Sequence, residues 1–253
     1  MPKTMINGHS IFYREQGAGK LLMILPGNTA SSACHQQELS YFSQHFRVVA
    51  IDPWGTGRSE RRKDWTTDWW AQLGCDAISL AAHLGDEKVI LMGTSGGAAA
   101  ALIAASEFPA IVEAVIADSV CPYAQPDRLC REVENRQQKE TGSASFWKLS
   151  HGEDWEAVVE EDNNLLLKFA NSGGVFIDEQ LKNIQCPTLL TASLDDPLLY
   201  EVSRQITQTA AQIPNCQVFL VNKGGHPLMW SRPDEFRRAV DAFFLGLGLL
   251  PKI

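Results

Sequence analysis

Six short apolar runs rich in branched residues punctuate the chain, at Leu21–Leu25, Arg47–Ile51, Val89–Met92, Ile111–Ala117, Thr188–Ala192 and Gln217–Val221. Runs this short and this continuous are what strands buried on both faces look like. Between them lie stretches of helical character. Thr67–Leu84 alternates polar and apolar residues at helical spacing and meets a stop at Gly85. Gly96–Glu107 is rich in alanine, with Pro109 close behind, and Ser203–Ile213 and Pro233–Leu245 follow the same pattern. Proline in the first turn suits the last of these. Strand and helix alternate, which predicts an α/β chain with a mostly parallel sheet covered on both faces.

The rhythm differs in two places. Met5–Ile6 and Ile11–Tyr13 flank Asn7-Gly8, a strong turn signal, so an antiparallel hairpin is expected at the start. From Cys121 to Gln185 the chain turns polar and charged, with scattered aromatics. A small helical lid inserted between core strands is expected there. The division is then core over 1–120, lid over 121–185 and core again over 186–253.

With 253 residues the chain can bury one large core. A formal net charge of −8 disfavours nucleic acid and anionic membrane as primary partners. The N-terminus has no apolar core of a secretory signal, and the longest membrane candidate, Ala98–Ala105, is too short to span. The six cysteines form no C-x-x-C pair, so no zinc or dithiol site is expected. Free thiols in a cytoplasmic protein are the expectation.

The sharpest chemical signal is Gly93-Thr94-Ser95-Gly96-Gly97, set between the strand Val89–Met92 and the alanine-rich helix. A G-x-S-x-G turn in that setting lifts a serine hydroxyl above the sheet. The helix that starts there aims free N–H groups at the same point. A serine hydroxyl needs a base. Of six histidines, His226 lies in a glycine loop just after the last strand, where an imidazole can swing over the serine. The imidazole needs an orienting carboxylate. Asp196 is the first candidate, at another strand end, with Asp195 and Asp118 as alternatives. The N–H of Gly96 and one from Pro26-Gly27-Asn28-Thr29, with Asn28 the expected donor, suit an oxyanion hole; Pro26 has no N–H to give. Gly17-Ala18-Gly19-Lys20 lacks the spacing of a phosphate loop, and Gly55-Thr56-Gly57 lacks the third glycine of a dinucleotide fingerprint.

Together these residues resemble the α/β-hydrolase superfamily over nearly the whole chain. Asp52-Pro53-Trp54-Gly55-Thr56-Gly57-Arg58-Ser59 is similar to that family's loop after the fourth strand. Cys186-Pro187-Thr188-Leu189-Leu190 is similar to the strand leading to its acid, and the family pattern Gly-x-x-Asp-Pro favours Asp196. Gly225-His226, with Arg232-Pro233 and Phe236, resembles its histidine loop and last helix. Two positions depart from the pattern: Pro26 stands where histidine is common, and Ser193 where glycine is common.

The resemblance implies an eight-stranded, mostly parallel sheet and a Ser95–Asp196–His226 triad without metal or organic cofactor. It implies a carboxylesterase-like serine hydrolase cleaving a small, largely apolar ester, thioester or lactone through an acyl-enzyme. A C–C bond hydrolase or cofactor-free perhydrolase with the same triad is the alternative. A ligand-binding receptor on this scaffold is the alternative of another class. A serine argues against the aspartate nucleophile of epoxide hydrolases and haloalkane dehalogenases. Gly96 lacks the aspartate that grips an amine in amino-ester hydrolases related to valacyclovir hydrolase. Trp54, Phe146, Trp147, Leu199 and Met229 are expected to line the substrate pocket, with Phe169 and Phe176 as further candidates.

Overall fold

The computed structural model describes residues 2–138 and 141–251. The chain opens with β1 (Lys3–Ile6) and β2 (His9–Gln16), paired antiparallel across the Asn7-Gly8 turn. There follow β3 (Leu21–Leu25), α1 (Gln36–Phe42), β4 (Arg47–Ile51), α2 (Trp69–His83), β5 (Val89–Thr94), α3 (Gly96–Glu107) and β6 (Val112–Asp118). Three helices come next, α4 (Pro126–Gln137), α5 (Thr141–His151) and α6 (Trp155–Asn171). The chain then returns to the core with β7 (Thr188–Ser193), α7 (Val202–Gln212), β8 (Cys216–Val221), the short α8 (Leu228–Ser231) and α9 (Pro233–Gly246).

The described strands form one open eight-stranded sheet in the order β1-β2-β4-β3-β5-β6-β7-β8, antiparallel at the hairpin edge and parallel from β4 onward. Side chains alternate across it, as the two-residue strand period requires. Leu21, Met23, Leu25 and Leu91 face the core under α2 and α3; Leu22, Ile24, Ile90 and Met92 face the core that holds Phe236, Phe243 and Phe244 of α9. Each of those phenylalanines contributes about 1.5–3 kcal/mol by leaving water. The helix expected from Thr67 begins at Trp69. Arg62 binds Thr66 and Asp68, and the Trp69 N–H closes a turn on the Thr66 carbonyl.

Parallel strands all end on one edge, so β3, β5, β6, β7 and β8 deliver their following loops to the same rim. The order reverses between β3 and β5, and a crevice opens at such a switch point. Helices α4 and α5 pack on α6, and α4 stands over that crevice. No helix among the described residues is long and apolar enough to cross a membrane. All six cysteines are unpaired.

Candidate active site

Ser95 sits at the end of β5 with φ 53° and ψ −125°, a left-handed conformation that costs a non-glycine residue of order 1–3 kcal/mol. The neighbouring main chain holds it there. Its N–H donates to the Asp118 carbonyl at 2.8 Å, and its own carbonyl accepts from Ala98 and Ala99 in the first turn of α3. The turn is too tight for side chains. A Cβ at Gly93 would lie 2.2 Å from the Gly97 carbonyl oxygen, and one at Gly97 would lie 2.0 Å from that of Leu25.

His226 leaves the glycine loop after β8 and meets Asp196 from the loop after β7, with Nδ1 and Oδ2 2.8 Å apart. A carboxylate oxygen accepts, so the ring donates from Nδ1, and in the neutral ring Nε2 carries the lone pair. The Asp196 side chain is fully buried, and its other oxygen takes the N–H groups of Leu198 at 2.9 Å and Leu199 at 3.3 Å. Asp195 is exposed, and its N–H donates to Ser193 Oγ at 3.2 Å. Asp118 is buried but serves other partners. It accepts from Thr191 at 2.6 Å, from the Met229 N–H at 3.0 Å and from Thr94 at 3.3 Å. Burial pushes its carboxyl up to about 6, against the pull of those bonds.

Ser95 and His226 line one cavity of about 370 Å³, closed by α4 and by Leu199, and also an adjoining one of about 400 Å³ reached by Phe146 and Trp147. Asn28 borders both. Among the described residues, neither the Asn28 nor the Gly96 N–H donates to a loop carbonyl. Phe176 lines the first cavity, whereas Phe169 packs behind it on Trp70 at 4.6 Å between ring centres.

Two expected pocket residues lie elsewhere. Trp54 stacks flat on His9 at 4.0 Å and is covered by the Arg62 guanidinium at 4.6 Å. The loop after β4 turns toward the hairpin because Asp52 anchors it, accepting from Ser32 and Arg58 N–H groups at 2.7 Å each. Met229 is wholly buried in the α9-side core, since the turn of α8 points it into the sheet and offers only its N–H to Asp118.

Other residues at the site were not singled out by sequence. Arg136 and Glu132 of α4 line both cavities. His151, at the end of α5, lines neither cavity and instead bridges two core loops. Its Nδ1 accepts from the Gly57 N–H and its Nε2 donates to the Thr29 carbonyl, both at 3.1 Å. Burial holds His151 down at about 4, with Arg61 nearby adding to the effect.

A left-handed serine on a strand–helix turn, faced by an aspartate–histidine pair on an open parallel sheet, defines a hydrolase scaffold of the nucleophile-elbow type. The chain belongs to the α/β hydrolase family, whose sequence model matches residues 22–239. It is 26% identical over 249 residues to serine hydrolase BPHL of Mus musculus, covering 95% of this chain and 85% of that protein. It is 28% identical over 240 residues to the putative carbamate hydrolase RutD of Caulobacter sp. (strain K31), covering 83% and 84%. In fold it matches the enol-lactonase from Burkholderia xenovorans LB400 with a TM-score of 0.77 at 18% identity, over 96% of this chain and 100% of that one.

Proposed function

We propose that this protein is a serine hydrolase acting by two-step acyl transfer. Ser95 attacks a carbonyl while His226 Nε2 takes its proton, and Asp196 steadies the imidazolium. The N–H groups of Gly96 and Asn28 take the negative charge of the tetrahedral intermediate, each worth about 3–4 kcal/mol of barrier. The intermediate collapses, the leaving group departs with the proton held by His226, and water then cleaves the acyl-enzyme with His226 as base again. The observation that carries this reading is the 2.8 Å bond from His226 to the buried Asp196, on an imidazole that shares its cavity with Ser95.

The substrate proposed is a small ester, thioester or lactone. The cavity wall of Val120, Cys121, Leu166 and Phe176 suits an apolar group, while Arg128, Glu132 and Arg136 make the α4 side polar. The relatives named as serine hydrolase and carbamate hydrolase support acyl chemistry. Labelling with a fluorophosphonate tests the assignment. Wild type should label and turn over p-nitrophenyl acetate, Ser95→Ala should do neither, and Asp196→Asn should lose on the order of 10⁴ in kcat. An inert, unlabelled wild type would overturn the reading.

A further inference from the structure

We infer that Asp162, a buried carboxylate of α6, is a positioning residue for the oxyanion loop, acting through the side chain of Asn28. The inference rests on the serine-hydrolase reading above. The Asn28 side chain is held at both ends. Its Oδ1 accepts from Trp70 Nε1 at 3.1 Å, and its Nδ2 donates to Asp162 Oδ1 at 2.6 Å. It lies directly against the elbow, because a Cβ at Gly96 would come within 2.0 Å of Asn28 Oδ1 and 2.7 Å of Trp70 Nε1. Gly96 thus leaves room for an amide from the oxyanion loop. With this side chain fixed, the Asn28 backbone, which carries one of the two proposed donors, loses its freedom to rotate away.

Asp162 is an unusual residue to find there. It shares the buried face of α6 with Val158, Val159, Leu165 and Leu166, and its side chain is 0% exposed. A carboxylate in such a place is costly unless every oxygen is used. Its second oxygen takes Arg136 Nη1 at 2.6 Å, and Arg136 in turn binds Glu132 through Nε at 2.9 Å. Burial alone would lower the Arg136 guanidinium, but the Asp162 and Glu132 carboxylates outweigh it and raise it. The arginine therefore stays charged and offsets Asp162. A bare carboxylate here would oppose a developing oxyanion; the pairing with Arg136 reduces that opposition while Asp162 orients Asn28.

The test uses the full chain with Asp162→Asn, Asn28→Ala and the double variant. An amide at 162 has one acceptor oxygen where Asn28 and Arg136 each need one, so one contact must be lost. Asp162→Asn and Asn28→Ala should each lower kcat for p-nitrophenyl acetate about 10-fold or more, with KM within about 2-fold, because a misplaced donor weakens the transition state and spares ground-state binding. The double variant should be no slower than the worse single one, since both remove the same link. A merely structural Asp162 would lower the melting temperature without this kcat-only loss. Asp162→Asn retaining kcat within about 2-fold, or effects that multiply in the double variant, would overturn the inference. If Asp162→Asn does not fold, Asn28→Ala decides, because it leaves the Asp162–Arg136 pair in place: an unchanged kcat there also overturns it. A wild type that neither labels with fluorophosphonate nor turns over brings down the hydrolase reading itself. A wild type that does both, with variants to match it, brings down this inference alone.

Discussion

At the elbow, Ser95 is placed by main chain. Its N–H and carbonyl are engaged with β6 and α3, and the glycines on either side leave no room for another path. In the α4–α6 cap, the buried polar groups behind the cavity wall are placed by side chains. Asp162 stands on Arg136 and Asn28, and His151 stands on the Gly57 N–H and the Thr29 carbonyl. The two regions build one site by different means. Main-chain placement is rigid and intolerant of any added atom. Side-chain placement accepts substitution at many positions and concentrates its vulnerability in a few buried polar groups.

Added atoms should break this contrast first if it is wrong. Gly97→Ala puts a Cβ 2.0 Å from the Leu25 oxygen and 2.5 Å from that of Pro26, both main chain that cannot step aside. The expected loss exceeds about 4 kcal/mol, seen as a collapse of the thermal or urea transition and of fluorophosphonate labelling. Gly152→Ala at the end of α5 has φ +86° but nothing within 4 Å of the new Cβ, so only the backbone penalty of about 1–2 kcal/mol should appear. Equal losses at the two positions would remove the distinction.

The same contrast explains what could be read beforehand. The elbow is legible because its whole logic lies in Gly93-Thr94-Ser95-Gly96-Gly97 and the strand before it. His226 and Asp196 are legible for a related reason: parallel strands bring their ends to one rim, so a residue just past a strand is placed by topology. Trp54 lies just past a strand too, yet its direction is set by His9, far away in the chain, and by the Asp52 anchor. Met229 illustrates the same limit, since only the turn of α8 decides which side of the loop faces the sheet. Asp162 is harder still, because its partner Asn28 is 134 positions away. Helical phase does leave a trace. Among Glu160, Glu161 and Asp162, only the last falls on the face of Val158, Leu165 and Leu166, where an acid has no reason to be unless something binds it.

Two buried titratable groups sharpen the comparison by responding to pH in opposite directions. In the cap, His151 is held at about 4 from an ordinary 6.5. A base with a depressed folded value adds stability that is full above the unfolded value and lost as pH falls toward the folded one. Between pH 7 and pH 4.5 wild type should therefore lose about 2 kcal/mol through His151, as its protonation competes with the Gly57 N–H for Nδ1. His151→Asn, with nothing to titrate, should lose that much less over the same window. Melting temperatures of the two proteins across the window check it, and parallel curves would show that the bridge from α5 to the core loops carries no such weight.

At the sheet, Asp118 has the opposite sign and a smaller effect. Burial raises its carboxyl from 3.8 to about 6. An acid with a raised folded value contributes stability that is present at low pH and lost as pH rises through that value. Wild type should then lose about 1 kcal/mol between pH 5 and pH 7 relative to Asp118→Asn, as a charge forms among Thr94, Thr191 and the Met229 N–H. The substitution keeps an acceptor oxygen and the side-chain shape, so the pH slope, not the absolute stability, carries the result. A wild-type slope matching that of Asp118→Asn would mean the carboxyl is already ionised at pH 5, with those donors outweighing its burial. The charge beneath the His226 loop would then be fixed between pH 5 and pH 7, and the sheet, like the elbow it supports, would be indifferent to pH where the cap is not.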